Sequence, residues 1–145
     1  MRSEPLQPGD MELIDAAKAI IGQRFELDRH HVGCALRTSS GRTYTSVNLE
    51  ANVGRIAICA EPIAVGQAVA AGDAELEVIV GVLHRYDESD PVQFRVGSSC
   101  GVCRELLYDY MPDGYSIMPV AGELRRVRVR DLLPERYDRA VGALA

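Results

Sequence analysis

Three thiols and a carboxylate, carried by Cys59-Ala60-Glu61 and Cys100-Gly101-Val102-Cys103, stand at the starts of two predicted helices. Any fold that uses them together must bring those two helix N-termini to one point. A Cys-x-x-Cys pair alone is compatible with structural zinc, with redox chemistry or with an ordinary helix start. At a helix N-terminus, however, that spacing lets both sulfurs face one ion, and the unpaired backbone N–H groups there stabilise thiolates. With Cys59 added, three thiolates leave a fourth coordination position for water. Glu61, two residues beyond Cys59, reaches that water without itself binding the ion. Such a soft donor set favours Zn2+ over hard cations. A purely structural site would want a fourth protein ligand, for which His30, His31 and His84 are the candidates. Cys34 lies within the apolar run Val32 to Leu36 and reads as a packed core side chain.

The remaining composition narrows the partners. A chain of 145 residues fits one domain with one core. Its net charge of -5 argues against a broad grip on nucleic acid, which depends on clustered Lys and Arg, so a small-molecule partner is expected. The cluster Arg125 to Arg130, in which arginines alternate with valines, predicts the solvated face of a strand. No apolar run approaches the roughly 20 residues a membrane span needs. Met1 to Asp10 lacks the pattern of a signal peptide, so a cytoplasmic, reducing location is expected, in which the cysteines serve as ligands or core residues rather than disulfides. The expected division is a tail over 1–9, a domain over 10–137 and a second tail over 138–145.

Asp10 as an N-cap, followed by Leu13, Ile14, Ala17, Ile20 and Ile21, predicts an amphipathic helix over residues 10 to 24. Val32 to Leu36 and Thr43 to Val47, separated by Ser39-Ser40-Gly41-Arg42, predict an antiparallel hairpin. Cys59 to Ala71, ending at Gly72, predicts a buried helix, and Leu76 to Leu83 a strand covered on both faces. A loop over His84 to Pro91, a short strand over Val92 to Val96 and a helix over Cys103 to Met111 follow. Two strands near Tyr115 to Val120 and Glu123 to Val129 complete the pattern. Interleaved strands and helices of this kind define a layered α/β domain.

Cys59-Ala60-Glu61 and Cys100-Gly101-Val102-Cys103-Arg104 resemble the Cys-Ala-Glu and Pro-Cys-Gly-x-Cys-Arg signatures of the cytidine deaminases. Other segments extend the resemblance in the same order. Val32-Gly33-Cys34-Ala35-Leu36 is similar to that family's Val-Gly-Ala-Ala-Leu strand, and Asn48-Leu49-Glu50 to its Asn-Val-Glu, eleven residues ahead of the first zinc ligand. Leu132-Leu133-Pro134 with Tyr137 resembles its C-terminal Leu-Leu-Pro-x-x-Phe. The blasticidin S deaminases share this framework.

The resemblance implies a three-layer α/β/α domain with a mixed sheet of about five strands. It also implies a Zn2+ cofactor on Cys59, Cys100 and Cys103, with Glu61 moving protons while water replaces the amine at C4 of a cytosine nucleoside. Asn48 and Glu50 would hold ribose hydroxyls. Ala60 and Ser98 would meet the base, the Ser98 carbonyl accepting from its amino group. His30 would stand where a ring packs on the pyrimidine, and Tyr137 would enter a neighbouring site of a homotetramer. A role in pyrimidine salvage is implied as well, with deamination of an antibiotic of the blasticidin S type, or nucleoside binding without turnover, as alternatives.

Four departures bear on specificity. Pro62 stands where tetrameric family members usually carry an arginine that offsets thiolate charge, which leaves Arg104 as compensator. Ser99 replaces a proline, His30-His31 replaces Phe-Pro, and the loop from His84 to Gly97 is longer than usual. None removes a ligand or the acid/base group, so deamination with altered substrate preference is expected.

Overall fold

The computed structural model describes residues 2–85, 89 and 93–137. Its strands are β1 (Ser3–Glu4), β2 (Val32–Thr38), β3 (Thr43–Val47), β4 (Leu76–His84), β5 (Phe94–Gly97), β6 (Tyr115–Val120) and β7 (Glu123–Arg128). Its helices are α1 (Asp10–Arg24), α2 (Ala60–Ala70) and α3 (Gly101–Tyr110). The strands form one mixed sheet in the order β1-β7-β6-β4-β2-β3. β2 pairs with β4 from Val32 opposite Leu83 to Thr38 opposite Leu76. The other edge of β4 is divided: Val78 to Val80 pair in parallel with β6, and Gly81 to His84 pair antiparallel with β5.

Period-two alternation assigns the central side chains to opposite layers. Ala35, Val78, Val80, Val82 and Ile117 pack against Leu13, Ile14 and Ala17 of α1. Cys34, Leu36 and Ile79 pack on the other face against Ala60, Ala64, Ala68 and Leu107 of α2 and α3. This is the expected three-layer domain, and Cys34 is a core side chain with no exposed surface. Because β4 is covered on both sides, its sequence is apolar without alternation. Close approach of α1 depends on Gly33, where an added Cβ would lie 2.4 Å from the Ala17 carbonyl oxygen.

Among the described residues the sheet has seven strands, where about five were expected. The strand no sequence pattern announced is the two-residue β1. β1 falls in the expected tail and pairs Ser3 with Val127 and Glu4 with Arg126. Two residues that serve only as an edge partner carry no local pattern from which to read them. β1 also changes the basic cluster, since Arg126 is 7% exposed and thus departs from the solvated face expected there. Asp10 is likewise not the N-cap of α1. Gly9, at φ 87°, takes that place, and the buried Asp10 carboxylate accepts from the Gln7 N–H at 2.8 Å and from Arg37 at 3.1 Å.

The hairpin of β2 and β3 turns through Gly41, at φ 83°. Its turn is anchored by Asp73, whose Oδ2 accepts from Thr38 and Ser40 at 2.8 Å and from Tyr44 at 3.0 Å. β5 overlaps the short strand expected over Val92 to Val96, and residues 86–88 and 90–92 of the segment ahead of and within it lie outside the described residues. The expected tail over 138–145 lies outside them too. Among the described residues no helix is long and apolar enough to cross a membrane.

Candidate active site

The N-termini of α2 and α3 meet above the carboxyl half of β4. Cys59 and Cys100 are the N-cap residues of the two helices, each with extended backbone. Their Sγ atoms are 3.7 Å apart, and with Cys103 Sγ all three sulfurs lie within 4.8 Å of one another. Tetrahedral zinc with Zn–S bonds of about 2.3 Å separates its sulfurs by about 3.8 Å, so spacing and donor softness both fit that ion. Among the described residues the group contains these three ligand side chains and no histidine. His84, a candidate fourth ligand by sequence, instead stacks on Phe25 and meets Phe94 edge-on, with ring centroids 4.4 and 4.7 Å away.

Helix geometry sets the ionisation of the thiols. At Cys100 burial opposes the thiolate, but hydrogen bonds from the Cys103 backbone N–H and the neighbouring thiols outweigh it and hold the group below its ordinary range. Burial pushes Cys103 well above that range, with the Glu61 carboxylate adding to the effect, and burial also raises Cys59. One thiol is thus prepared to ionise first, and the other two give up protons when a cation replaces them.

Glu61 is 6% exposed. Its Oε2 accepts from Cys103 Sγ at 3.4 Å, and its Oε1 would be 3.7 Å from a Cβ built on Gly81. Gly81 of β4 thus forms part of the floor beneath the carboxylate, at ordinary van der Waals distance. Pro62 sits in the first turn of α2, where no intrahelical N–H is required of it.

A cavity of about 280 Å3 opens beside these groups and collects Asn48, Glu50, Cys59, Ala60, Glu61, Ser98 and Cys100 on its wall. Asn48 is buried, and its Oδ1 accepts from the backbone N–H groups of His31 and Val32 at 2.8 and 2.9 Å. Its Nδ2 donates to Glu50 Oε1 at 3.1 Å. The amide thus fixes the start of β2 with its oxygen and presents its nitrogen, beside the Glu50 carboxylate, to the cavity.

Three sequence expectations need correction or closer definition. His30 does not line this cavity: its Nδ1 lies 2.8 Å from the Asn48 carbonyl oxygen and the side chain faces a separate depression with Phe25 and Ile63. The neighbouring His31 occupies the wall, with Nε2 3.9 Å from Glu50 Oε1. Adjacent residues entering a strand point to opposite sides, and the Glu26–His30 bridge sets which is which. Arg104 spends its guanidinium on carbonyls, Nε donating to Ser99 at 2.9 Å and Nη1 to Leu132 at 3.4 Å. It braces the turn ahead of Cys100, the place where the sequence lacks a proline. Tyr137 is 80% exposed and outside the cavity of its own chain.

Ser46 is a residue that sequence reading missed. It is buried, and its Oγ donates to the Ala60 carbonyl at 2.6 Å, tying β3 to the first turn of α2. The available signal was strand phase, since Ser46 pairs with Cys34 and so faces α2.

A mixed sheet whose two cysteine-capped helices converge on a buried glutamate describes an enzyme of the hydrolytic deaminase class, and the comparisons agree. No family model matches the chain. The blasticidin-S deaminase of Bacillus cereus is 38% identical over 139 residues, which are 96% of this chain and 99% of that protein. The crystal structure of cytidine deaminase from Burkholderia pseudomallei superposes with a TM-score of 0.69 at 28% identity, over 88% of this chain and 98% of the other. That of the cytidine deaminase from Bacillus anthracis gives 0.75 at 23% identity, over 90% and 91%, a likeness of fold alone. The chain belongs to the cytidine deaminase-like family.

Proposed function

We propose that the protein is a zinc-dependent hydrolase that replaces the exocyclic amine of a cytosine nucleoside by oxygen, releasing ammonia and the uracil form. The observation that carries this reading is the buried Glu61 carboxylate, 3.4 Å from a thiol of a three-cysteine cluster and on the wall of a cavity that also holds Asn48 and Glu50. Cys59, Cys100 and Cys103 would hold the ion, and zinc there supplies the Lewis acidity that makes water a nucleophile at neutral pH. Glu61 takes a proton from the attacking water at its cavity-facing oxygen and passes protons to ring N3 and to the departing amine. The Ser98 carbonyl accepts from that amine, and Ala60, held by Ser46, presents the first turn of α2 to the base. Asn48 Nδ2 donates to a sugar hydroxyl while Glu50 accepts from one. The thiolate charge is offset by the N-terminal N–H groups of the two helices, as in the contact from Cys103 N to Cys100 Sγ at 3.5 Å.

A second reading, an extended nucleoside of the blasticidin S type, is favoured by the 38% identity to the Bacillus cereus enzyme. His31 at the sugar end, in place of an apolar residue, suits a more polar substituent. Ammonia release by zinc-loaded protein against cytidine, deoxycytidine, free cytosine and blasticidin S decides between the readings. Turnover of the plain nucleosides is expected under the first, and turnover of blasticidin S alone would transfer the assignment to the second. Release from none of the four by zinc-loaded protein would refute both.

The cavity wall includes Ile58, 44% accessible, and Ile56 two residues earlier in the chain is 65% accessible; we place a neighbouring chain of a homotetramer against them, with Tyr137 reaching across. Sedimentation should return four chains, and Tyr137→Ala should lower activity at unchanged zinc content. A monomer with full activity would remove this assembly.

A further inference from the structure

Beside β1 and β7 lies a cavity of about 680 Å3 that shares no residue with the catalytic one. Four arginines line it, Arg2, Arg126, Arg128 and Arg130, against two carboxylates, Glu4 and Asp131. That concentration runs against a chain whose net charge is -5. Strand register explains the gathering. Arg126 stands opposite Ile117 and Arg128 opposite Tyr115, on the face that carries α1. The two guanidinium carbons lie 4.1 and 5.3 Å from the centre of the Tyr115 ring.

Arg126 is the informative member. It is 7% exposed, and its Nε is buried without a hydrogen-bond partner. The carboxylate nearest to it, Asp10, is 3.8 Å away and already serves Arg37 at 3.1 Å and the Gln7 N–H at 2.8 Å. Of the other acids, Glu4 accepts from the Tyr115 hydroxyl at 3.1 Å, and Arg130 and Arg128 share the single carboxylate of Asp113, the latter at 3.6 Å. An orphaned donor on a buried guanidinium is costly, and the planar fork at the end of this side chain, on the cavity wall, matches the oxygens of a tetrahedral oxyanion.

We propose that this cavity binds a phosphate group, whose oxygens are received by Arg126 and Arg128 while Arg2 and Arg130 close the rim. One phosphate offers spaced oxygens that pair with a guanidinium fork two at a time, which a spherical halide cannot, and the volume leaves room for an organic body attached to it.

The test is calorimetric titration of the zinc-loaded full chain in chloride buffer with two probes, inorganic phosphate and glycerol phosphate. Saturable one-to-one binding of at least one probe is expected, and the probe that binds identifies the source as free phosphate or a phosphate ester. Arg128 and Arg130 have side chains 45% and 48% exposed. Arg128→Gln combined with Arg130→Gln therefore leaves the core intact and should weaken binding at least about tenfold, with ammonia release unchanged. Should that variant fail to fold, Arg2→Gln at the exposed rim is read in the same way. Absence of saturable binding by the wild type, or equal affinity in wild type and variant, overturns the proposal.

Discussion

Glu61→Gln should lower kcat by roughly 10²–10⁴-fold, the usual worth of a positioned general acid/base, while zinc content stays at the wild-type value. The substitution keeps the volume of the side chain and its contact with Cys103, so the cluster and the Gly81 floor persist. What is lost is the capacity to take a proton from water and return it to the ring and the amine. KM should change little, because the groups assigned to the sugar, Asn48 and Glu50, are untouched. Steady-state ammonia release with metal analysis on the same preparation checks this. A Gln variant with wild-type kcat would require another proton carrier and would sink the mechanism.

Cys59→Ala should remove metal and activity together. Cys59 supplies one of three sulfurs and caps α2, so two thiolates remain with no third ligand in the described cluster. Zinc that binds only the folded chain stabilises it by mass action, about 2.7 kcal/mol at a hundred times its Kd, so the variant should also melt earlier than zinc-loaded wild type and match chelated wild type. The pH dependence has a definite sign. Burial raises Cys59 and Cys103, so loading the ion displaces protons from both, and acid should weaken loading and lower the melting temperature of the zinc form. The metal-free form behaves oppositely at Cys34, raised by burial and then by Glu61. Its contribution is whole below the unfolded thiol pKa of about 8.5 and is lost as pH climbs from there through the native value. An active Cys59→Ala enzyme without zinc would refute the ligand assignment.

Where one side chain's environment is local, the sequence was enough. The hairpin, the apolar strand β4 and the two cysteine-capped helices follow from strand alternation, a continuous aliphatic run and helix spacing, and the thiols met because both helices begin over the same end of β4. Where a residue's place depends on a distant partner, it was not. β1 exists because β7 offers an open edge. Arg126 is buried because β1 and α1 cover it, which a pattern of alternating arginine and valine cannot disclose. The exchange of His31 for His30 turns on a one-residue phase set by a single bridge, and two polar residues ahead of an apolar strand give no alternation to fix it. Arg104 follows the family signature, yet its hydrogen bonds go to the carbonyls of Ser99 and Leu132, partners the signature alone does not name.

The divided edge of β4 has a kinetic consequence. Val80 and Val82, which flank the floor glycine, have paired neighbours on both sides, β2 on one and β6 or β5 on the other. Amide protons in such a strand exchange only when the whole domain unfolds. The opposite wall, from Leu49 to Ile58, is held by the Leu49–Ile58 bridge, a Glu50 N–H bond to the Arg29 carbonyl at 3.1 Å and one short 3-10 turn, Gly54–Ile56, and it carries exposed Val53 and Ile56. Its amides belong to the fast-opening class. Hydrogen exchange is therefore expected to label the Leu49–Ile58 lip well before the strand beneath Glu61, so that the rim of the cavity opens while its floor keeps its registration.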